Sequence, residues 1–131
     1  MKLMTKDTGY ALRILVYMAQ HKGGIFSVRR IARGVEVPHA FARWICQMMS
    51  KKKVISSQKG KGGGFMFSGN PGDVSVMDII RIFQGEIEFL DCFIRDHICG
   101  RIKGCKLRKK LKVLEKEVAL KLDRITLKDL L

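Results

Sequence analysis

The fold of this chain is decided by residues 27–67, SVRRIARGVEVPHAFARWICQMMSKKKVISSQKGKGGGFMF. Ser27 has a side chain suited to an N-cap, and it opens a short helix that we expect to stop at Gly34. Pro38 stands where proline is favoured, at the first position of a second helix that runs to the lysines at 51–53. Two short helices joined by a tight turn predict a helix-turn-helix.

The end of the same stretch predicts a β-hairpin. VISSQ and FMFSG are β-like runs, and the KGKGGG between them is a turn that only a glycine-rich sequence can make. Glycine-rich loops also bind nucleotide phosphates, but that motif needs a Lys-Ser or Lys-Thr pair opening a helix after the glycines, and here FMF follows. The pattern therefore favours a wing with Lys59 and Lys61 at its tip.

Three further helices are predicted outside this stretch. Apolar residues recur with a helical period from Thr8 to Gln20, and Ser75 with Asp78 resembles a capping box that opens a helix ending before Gly85. The last segment predicts one long helix with a near-heptad apolar seam, formed by Leu107, Leu111, Leu114, Val118, Leu122 and Ile125. Such a seam favours pairing with the same helix of a second subunit, although packing against the chain's own head is the alternative.

The predicted fold is therefore mostly α with a small β-hairpin wing. Residues 1–84 would form a winged helix-turn-helix head that binds DNA. Residues 85–131 would form a cysteine loop and a C-terminal helix that joins two subunits into a homodimer.

Positive charge is concentrated in the front half of the chain. The net charge of the 131 residues is +14, and residues 1–64 hold 13 Lys and Arg against only Asp7 and Glu36, a net charge of +11. A charge excess confined to one region indicates a polyanionic partner, because each neutralised phosphate releases counterions. Double-stranded DNA is favoured over an anionic membrane, which would call for a basic amphipathic helix.

The helix-turn-helix and the wing supply the candidate DNA contacts. The start of the second helix is the part that reaches base edges when such a helix enters the major groove. The predicted contacts are His39, Ala40 and Arg43 near the bases, Arg29 and Lys51 on phosphate, and Lys59 and Lys61 along or in the minor groove.

Several classes of protein are disfavoured. The chain has no run of about 18 apolar residues that could span a bilayer, and its N-terminus MKLMTKDTGY is too polar for a secretory signal. We therefore expect a cytoplasmic protein without a membrane partner. No Ser/His/Asp, paired-carboxylate or Cys/His arrangement stands at a useful spacing, so we expect neither catalysis nor a small-molecule substrate.

Cys92, Cys99 and Cys105 lie within 14 residues of one another and are candidate metal ligands. Four cysteines in an intracellular chain argue against disulfides. Six and five intervening residues make an open loop, which suits an iron-sulfur cluster better than a tight zinc knuckle. Cys46, on the apolar side of the second helix, is predicted to be core.

Three thiolates leave one ligand position open. His97 and Asp96 lie inside the loop, while Asp7, His21 or a group from a partner subunit are more distant options. Basic residues around the cysteines would offset the negative charge of a thiolate-ligated cluster, or they would simply form a solvated loop.

Several dispersed motifs resemble the bacterial Rrf-type winged-helix transcription regulators, in particular the IscR- and NsrR-like iron-sulfur regulators. The resemblance covers TGYALRILVYMA near the start, the helix-turn-helix, KGKGGGFMFSGNPGDVSVMDIIRIFQG, the three cysteines and ITLKDLL near the end. It implies a winged-helix head, a C-terminal dimerisation helix and cluster-dependent repression or activation of genes. It also implies cluster ligation at Cys92, Cys99 and Cys105.

The chain departs from this family pattern at the fourth ligand. Some members have a histidine three residues after the last cysteine, where this chain has Arg108, and others use a carboxylate of the partner's N-terminal segment, where Gly9 aligns and Asp7 is two residues away.

We therefore expect a homodimeric DNA-binding regulator whose affinity is controlled by an iron-sulfur cluster, with 2Fe-2S favoured over 4Fe-4S, in response to redox state, iron or nitric oxide. The alternatives are a cluster-free family member regulated by protein contacts, and a metal- or redox-handling protein that does not bind DNA specifically.

Overall fold

A computed structural model describes residues 2–21, 24–91, 93–94 and 97–131. The helices are α1 Lys6–Gln20, α2 Val28–Val35, α3 His39–Lys51, α4 Val76–Phe83, α5 Lys106–Arg124 and α6 Leu127–Leu130. The strands are β1 Ser56–Gln58, β2 Gly64–Met66, β3 Phe93–Ile94 and β4 His97–Ile98, and a 3-10 turn spans Pro71–Asp73. The predicted fold class, mostly α with a hairpin wing, is confirmed.

Helices α1 to α4 surround the core of the head. Each helix turns one apolar face inward, and the largest fully buried side chains include Ile14, Ile31, Ile45 and Ile79. The capping box predicted for α4 is present, since Ser75 Oγ accepts the Asp78 N–H at 3.0 Å and Asp78 Oδ2 accepts the Ser75 N–H at 2.9 Å. Local sequence signals therefore set where this helix starts.

Helix α2 continues past Gly34, where we expected it to stop. It ends at Val35, and Glu36 takes the left-handed conformation at φ 55°. Gly34 serves another purpose, because an added Cβ would lie 2.4 Å from the ring of Tyr17 on α1. The glycine allows α1 and α2 to approach each other.

The wing is an antiparallel hairpin in which β1 pairs with β2 and Ser57 faces Phe65. It is tied to the head by Phe26, which exchanges two backbone hydrogen bonds of 2.8 Å with Phe65. A Cβ at Gly64 would lie 2.2 Å from the Phe26 carbonyl oxygen. The third glycine of the GGG run is therefore required for the wing to lie against the head.

The C-terminal segment returns to the head. The Val76 N–H donates to the Ile125 carbonyl at 2.8 Å, and the Leu127 N–H donates to the Val74 carbonyl at 2.9 Å. The Leu127 side chain is fully buried in the same core as α1 and α4. The division of the chain at residue 84 stays a prediction, but the end of the second part contributes to the core of the first.

Two very short strands, β3 and β4, lie within the cysteine segment. They form an antiparallel hairpin in which Phe93 pairs with Ile98 and Ile94 with His97. The sequence pattern had suggested an irregular loop here. The hairpin lies between Cys92, which is outside the described residues, and Cys99.

Candidate nucleic-acid interface and cysteine loop

All seven predicted DNA contacts lie on the surface of the head. Each is exposed in the structure: Arg29, His39, Ala40, Arg43, Lys51, Lys59 and Lys61. They come from three elements, namely the start of α2, the length of α3 and the wing. The helix-turn-helix and the hairpin thus present their polar groups outward while their apolar groups form the core.

Helix α3 has one fully buried face and one fully exposed face. Ala42, Ile45, Cys46 and Met49 are completely buried. Phe41 and Met48 are half-buried. This helix is held in the head by a narrow apolar stripe, so that its other face is free to contact a partner.

A groove of about 500 Å³ runs between α3 and the wing. It brings together Arg43 and Lys51 of α3 with Lys59 of the wing. Gln47 and Gln58 also line it, although neither is among the DNA contacts predicted from the sequence. Gln47 could have been found, since it lies one turn after Arg43 at the i+4 position.

A second groove, also of about 500 Å³, lies at the other end of the helix-turn-helix. Arg29 and Arg33 of α2 line it together with His39 at the start of α3. Lys61 lines neither groove and stands at the wing tip, while Ala40 lies on the open surface of α3. The structure therefore groups the predicted contacts into two basic grooves and an exposed tip.

The basic charge of the head is not neutralised internally. Within the described ranges, no ion pair involves a basic residue that precedes Arg81. Some of these side chains have other partners: Arg13 donates to the Val35 carbonyl at 3.0 Å, and Arg30 lies 4.4 Å from the centre of the Phe26 ring. Positive charge is therefore available to phosphates over the whole face.

The three cysteines that the structure describes lie in two environments. Cys46 is completely buried, and desolvation raises the pKa of its thiol to about 12. Cys99 and Cys105 are half-exposed and are not in disulfides. The core role predicted for Cys46 is confirmed, and the two described loop thiols are accessible.

Cys105 is the N-cap residue of α5. Its Sγ accepts the Arg108 N–H at 3.4 Å, and its carbonyl accepts the Lys109 N–H at 3.2 Å. The N-terminus of a helix favours negative charge, and this sulfur lies at such a terminus. Among the described residues no group of three or more His, Cys, Asp or Glu side chains is arranged to hold a metal ion, and Cys92 and Asp96 lie outside them.

Arg81 connects the cysteine segment with the head and with α5. Its Nε donates to Glu86 Oε1 at 3.0 Å, and its Nη1 donates to Asp123 Oδ1 at 3.2 Å. Asp123 also accepts the Ser75 hydroxyl at 3.2 Å. The Arg81 side chain therefore holds the last turn of α5 and also the start of the linker, by which we mean residues 85–91 between α4 and the cysteines.

Glu115 fixes the linker on the middle of α5. Its carboxylate is buried, and it accepts the Phe89 N–H at 2.9 Å and contacts Lys112 Nζ at 2.9 Å. Burial opposes its ionisation, but the hydrogen bond and the neighbouring Lys112 and Arg108 together hold the pKa of Glu115 below its ordinary value.

Gln84 ties the start of α1 to the end of α4. Its Oε1 accepts the Thr8 hydroxyl at 2.6 Å and the Thr5 N–H at 2.9 Å, and its Nε2 donates to the Leu3 carbonyl at 3.1 Å. Asp7 is half-buried in the first turn of α1 and stands in sequence between the two threonines that contact Gln84. No local sequence signal reveals this contact, since its partners are 76 residues apart.

The apolar seam of α5 is divided between the head and solvent. Ala119 and Leu122 pack against the core, whereas Leu107 is 58 % exposed and Leu114 is 47 % exposed. The alternative of packing against the chain's own head therefore holds for part of this helix, and pairing with a second subunit stays a prediction. Its C-terminal half packs on the head of its own chain, and a stripe at its N-terminal half is open.

One family of known proteins matches nearly the whole chain. Residues 4–131 match the family model described as "Rrf2: Iron-dependent Transcriptional regulator". The chain is 31 % identical over 129 residues to the HTH-type transcriptional repressor NsrR of Streptomyces coelicolor, covering 97 % of this chain and 86 % of that protein. Such relatives are transcriptional regulators and not enzymes, in agreement with the prediction.

Solved structures show the same fold. CymR, described as the global cysteine regulator of B. subtilis, superposes with a TM-score of 0.76 at 23 % identity, covering 99 % of this chain and 96 % of that one. IscR of T. potens superposes with a TM-score of 0.75 at 24 % identity, covering 99 % of this chain and 85 % of that one. Within the described ranges, no helix has the length and apolar content needed to cross a membrane.

Proposed function

Because this chain belongs to the Rrf2 family of transcriptional regulators, we propose that it is a homodimeric DNA-binding regulator whose affinity for DNA depends on an iron-sulfur cluster held by Cys92, Cys99 and Cys105. DNA binding is supported by the basic face of the head, whose charge is not neutralised by ion pairs among the described residues. Arg43, Lys51 and Lys59 line one groove of this face. As a regulator of genes it would act in the cytoplasm, where bacterial DNA lies.

The exposed residues have separate roles on the duplex. Arg43 and His39 at the start of α3 would read base edges, with Ala40 allowing close approach, while Arg29 and Lys51 would contact phosphates. Lys59 and Lys61 would follow the minor groove. Each phosphate contact contributes to affinity without regard to sequence, whereas a base contact discriminates between sequences.

Variants of Arg43 and Lys61 test these roles. Arg43→Ala should cost roughly 1–3 kcal/mol on the preferred duplex and relax preference at one position, whereas Lys61→Ala should weaken all duplexes alike and lower the salt slope by about 1. Equal losses on preferred and random duplex for Arg43→Ala would remove Arg43 from the reading role. A salt-independent affinity of the unmodified protein would favour the alternative of a redox or metal-handling protein.

The open stripe of α5 is the proposed dimer contact. Leu107 and Leu114 would pack against the same residues of a second chain, since exposed leucines one heptad apart suit helix pairing. Sedimentation of Leu114→Lys tests this contact, with Leu120→Lys as the matched control because Leu120 lies on another face of the same helix. Dissociation by the first change alone supports the proposal, and a monomeric unmodified protein refutes it.

The described thiols suit a cluster. Cys99 and Cys105 are accessible and unpaired, Cys105 caps a helix N-terminus, and the surroundings are rich in basic residues that offset thiolate charge. When bound, such a group would supply a response to oxidation, iron supply or nitric oxide. The fourth ligand would come from Asp7, Asp96, His97 or the partner subunit.

Cysteine substitutions distinguish the proposed cluster-binding regulator from the alternative of a cluster-free family member. Protein purified without air should be coloured and contain iron and sulfide, and Cys99→Ser and Cys105→Ser should lose both, while Cys46→Ala keeps them. Colourless protein whose DNA affinity is unchanged by a chelator or by replacing all three loop cysteines would support the cluster-free alternative.

Helix α5 connects the thiols to the reading head. It begins at Lys106, directly after its N-cap residue Cys105, extends for 19 residues or about 29 Å, and ends where Asp123 meets Arg81 of α4. At the end of α4, the Phe83 ring lies 5.8 Å from the ring of Trp44 on α3. A change at the cysteine loop would therefore reach α3 through packed elements. The two heads of a dimer must bind half-sites about 34 Å apart, or a multiple of this. Small rotations of α5 would therefore alter the match between the spacing of the heads and the spacing of the half-sites.

A further inference from the structure

The outer face of α3 has a residue at its centre that the proposed DNA contacts leave out. At about 100° per residue, Gln47 lies roughly 150° round the helix from the middle of the buried stripe. Its neighbours on the surface are Ala40, two turns earlier, and Arg43 and Lys51, one turn to either side. A duplex that contacts Arg43 and Lys51 must therefore also meet Gln47.

The side chain of Gln47 is exposed and lines the groove between α3 and the wing. No hydrogen bond joins it to any residue in the described part of the chain, so that its amide oxygen and nitrogen are both available. It is neutral among basic neighbours and adds nothing to the attraction of phosphates. Because its amide both donates and accepts, it can distinguish base edges by their pattern of hydrogen-bond donors and acceptors.

We propose that Gln47 is a specificity-determining residue that reads an adenine in the major groove. Its amide oxygen accepts from the adenine N6 amino group while its amide N–H donates to N7, a pairing that glutamine makes in a bidentate manner. This inference rests on the proposed DNA-binding function. It predicts an A·T pair beside the base pair that Arg43 contacts, because the two side chains are one helical turn apart.

The test is selection of binding sequences from a pool of fully randomised double-stranded DNA, with the full-length chain. The unmodified protein should select an A·T pair in each half-site. Gln47→Ala should reduce discrimination at that position alone, from roughly 5- to 150-fold to near unity. Gln20→Ala is the matched control, since Gln20 is an exposed glutamine at the end of α1 that lines neither basic groove, and it should select the same sequence as the unmodified protein.

Gln47→Glu gives a readout that a purely structural role would not produce. A carboxylate accepts hydrogen bonds but cannot donate to N7, and it suits the cytosine N4 amino group, so preference should move from adenine to cytosine at the same position. An unchanged motif for Gln47→Ala, or an equal loss on every duplex, overturns the inference while leaving the DNA-binding function intact. An unmodified protein that selects no motif overturns both.

Discussion

Replacing Leu127 by alanine tests whether the C-terminal segment is part of the head. Leu127 is fully buried and packs in the core shared by α1 and α4, although it lies more than 40 residues beyond α4. Through this packing, the last residues of the chain stabilise the DNA-binding head. If the segment lies loosely on the surface, the substitution should have little effect.

The expected loss follows from the burial. Leucine-to-alanine changes in cores cost about 2–5 kcal/mol, depending on how far the site collapses. Helix α6 has only four residues and can adjust, while the backbone hydrogen bonds of Leu127 to Val74 and of Ile125 to Val76 resist movement. We therefore expect a decrease of about 3 kcal/mol in the free energy of unfolding.

Urea unfolding followed by circular dichroism measures this decrease. With a slope of about 1.5 kcal/mol per molar urea, the midpoint should fall by about 2 M. Leu120→Ala is the matched control, because Leu120 is 59 % exposed on α5 and its replacement should change stability by less than about 0.5 kcal/mol. Both variants are compared at one protein concentration, since dimerisation would add to the apparent stability. Equal midpoints for the two variants would refute the packing argument.

Three further changes have defined outcomes. Gly64→Ala would place a Cβ 2.2 Å from the Phe26 carbonyl oxygen, so the wing should separate from the head. The free energy of unfolding measured in urea should fall by about 1–3 kcal/mol, and binding to all duplexes should weaken. An unaltered stability and affinity would contradict this. Burial opposes the ionisation of Glu115, but its hydrogen-bond and ion-pair partners hold its pKa below the ordinary 4.5. The ionised carboxylate therefore stabilises the fold above pH 4.5, and this contribution is lost as the pH falls through the lowered pKa. The stability difference between the unmodified protein and Glu115→Gln should therefore be largest near neutrality and shrink as the pH falls below 4.5; a constant difference would assign it to packing. The buried Cys46 thiol, with a pKa of about 12, should not react with a thiol reagent in the folded protein, so Cys46→Ala should lose one reactive thiol only after unfolding.

Local sequence signals predicted the elements of the head. Ser27 and Ser75 cap helices as expected, since a cap depends on residues three positions apart. The glycine run produces the wing, and the basic residues are exposed because the apolar residues between them have a helical period. The candidate DNA contacts could therefore be placed on one surface from the sequence.

What the sequence by itself determined was thus the kind, order and polarity of the elements, because these depend on spacing within a few residues. Only the tertiary structure decided that Gly34 serves contact with Tyr17, that Gln84 ties down the start of α1, and that Leu127 completes the core of the head. These contacts join residues far apart in the chain, and their partners are selected by shape and by unsatisfied polar groups in the packed molecule. Periodicity carries no information about that selection: helical spacing could place Gln47 beside Arg43, but only the packed molecule shows that α3 and the wing form one groove.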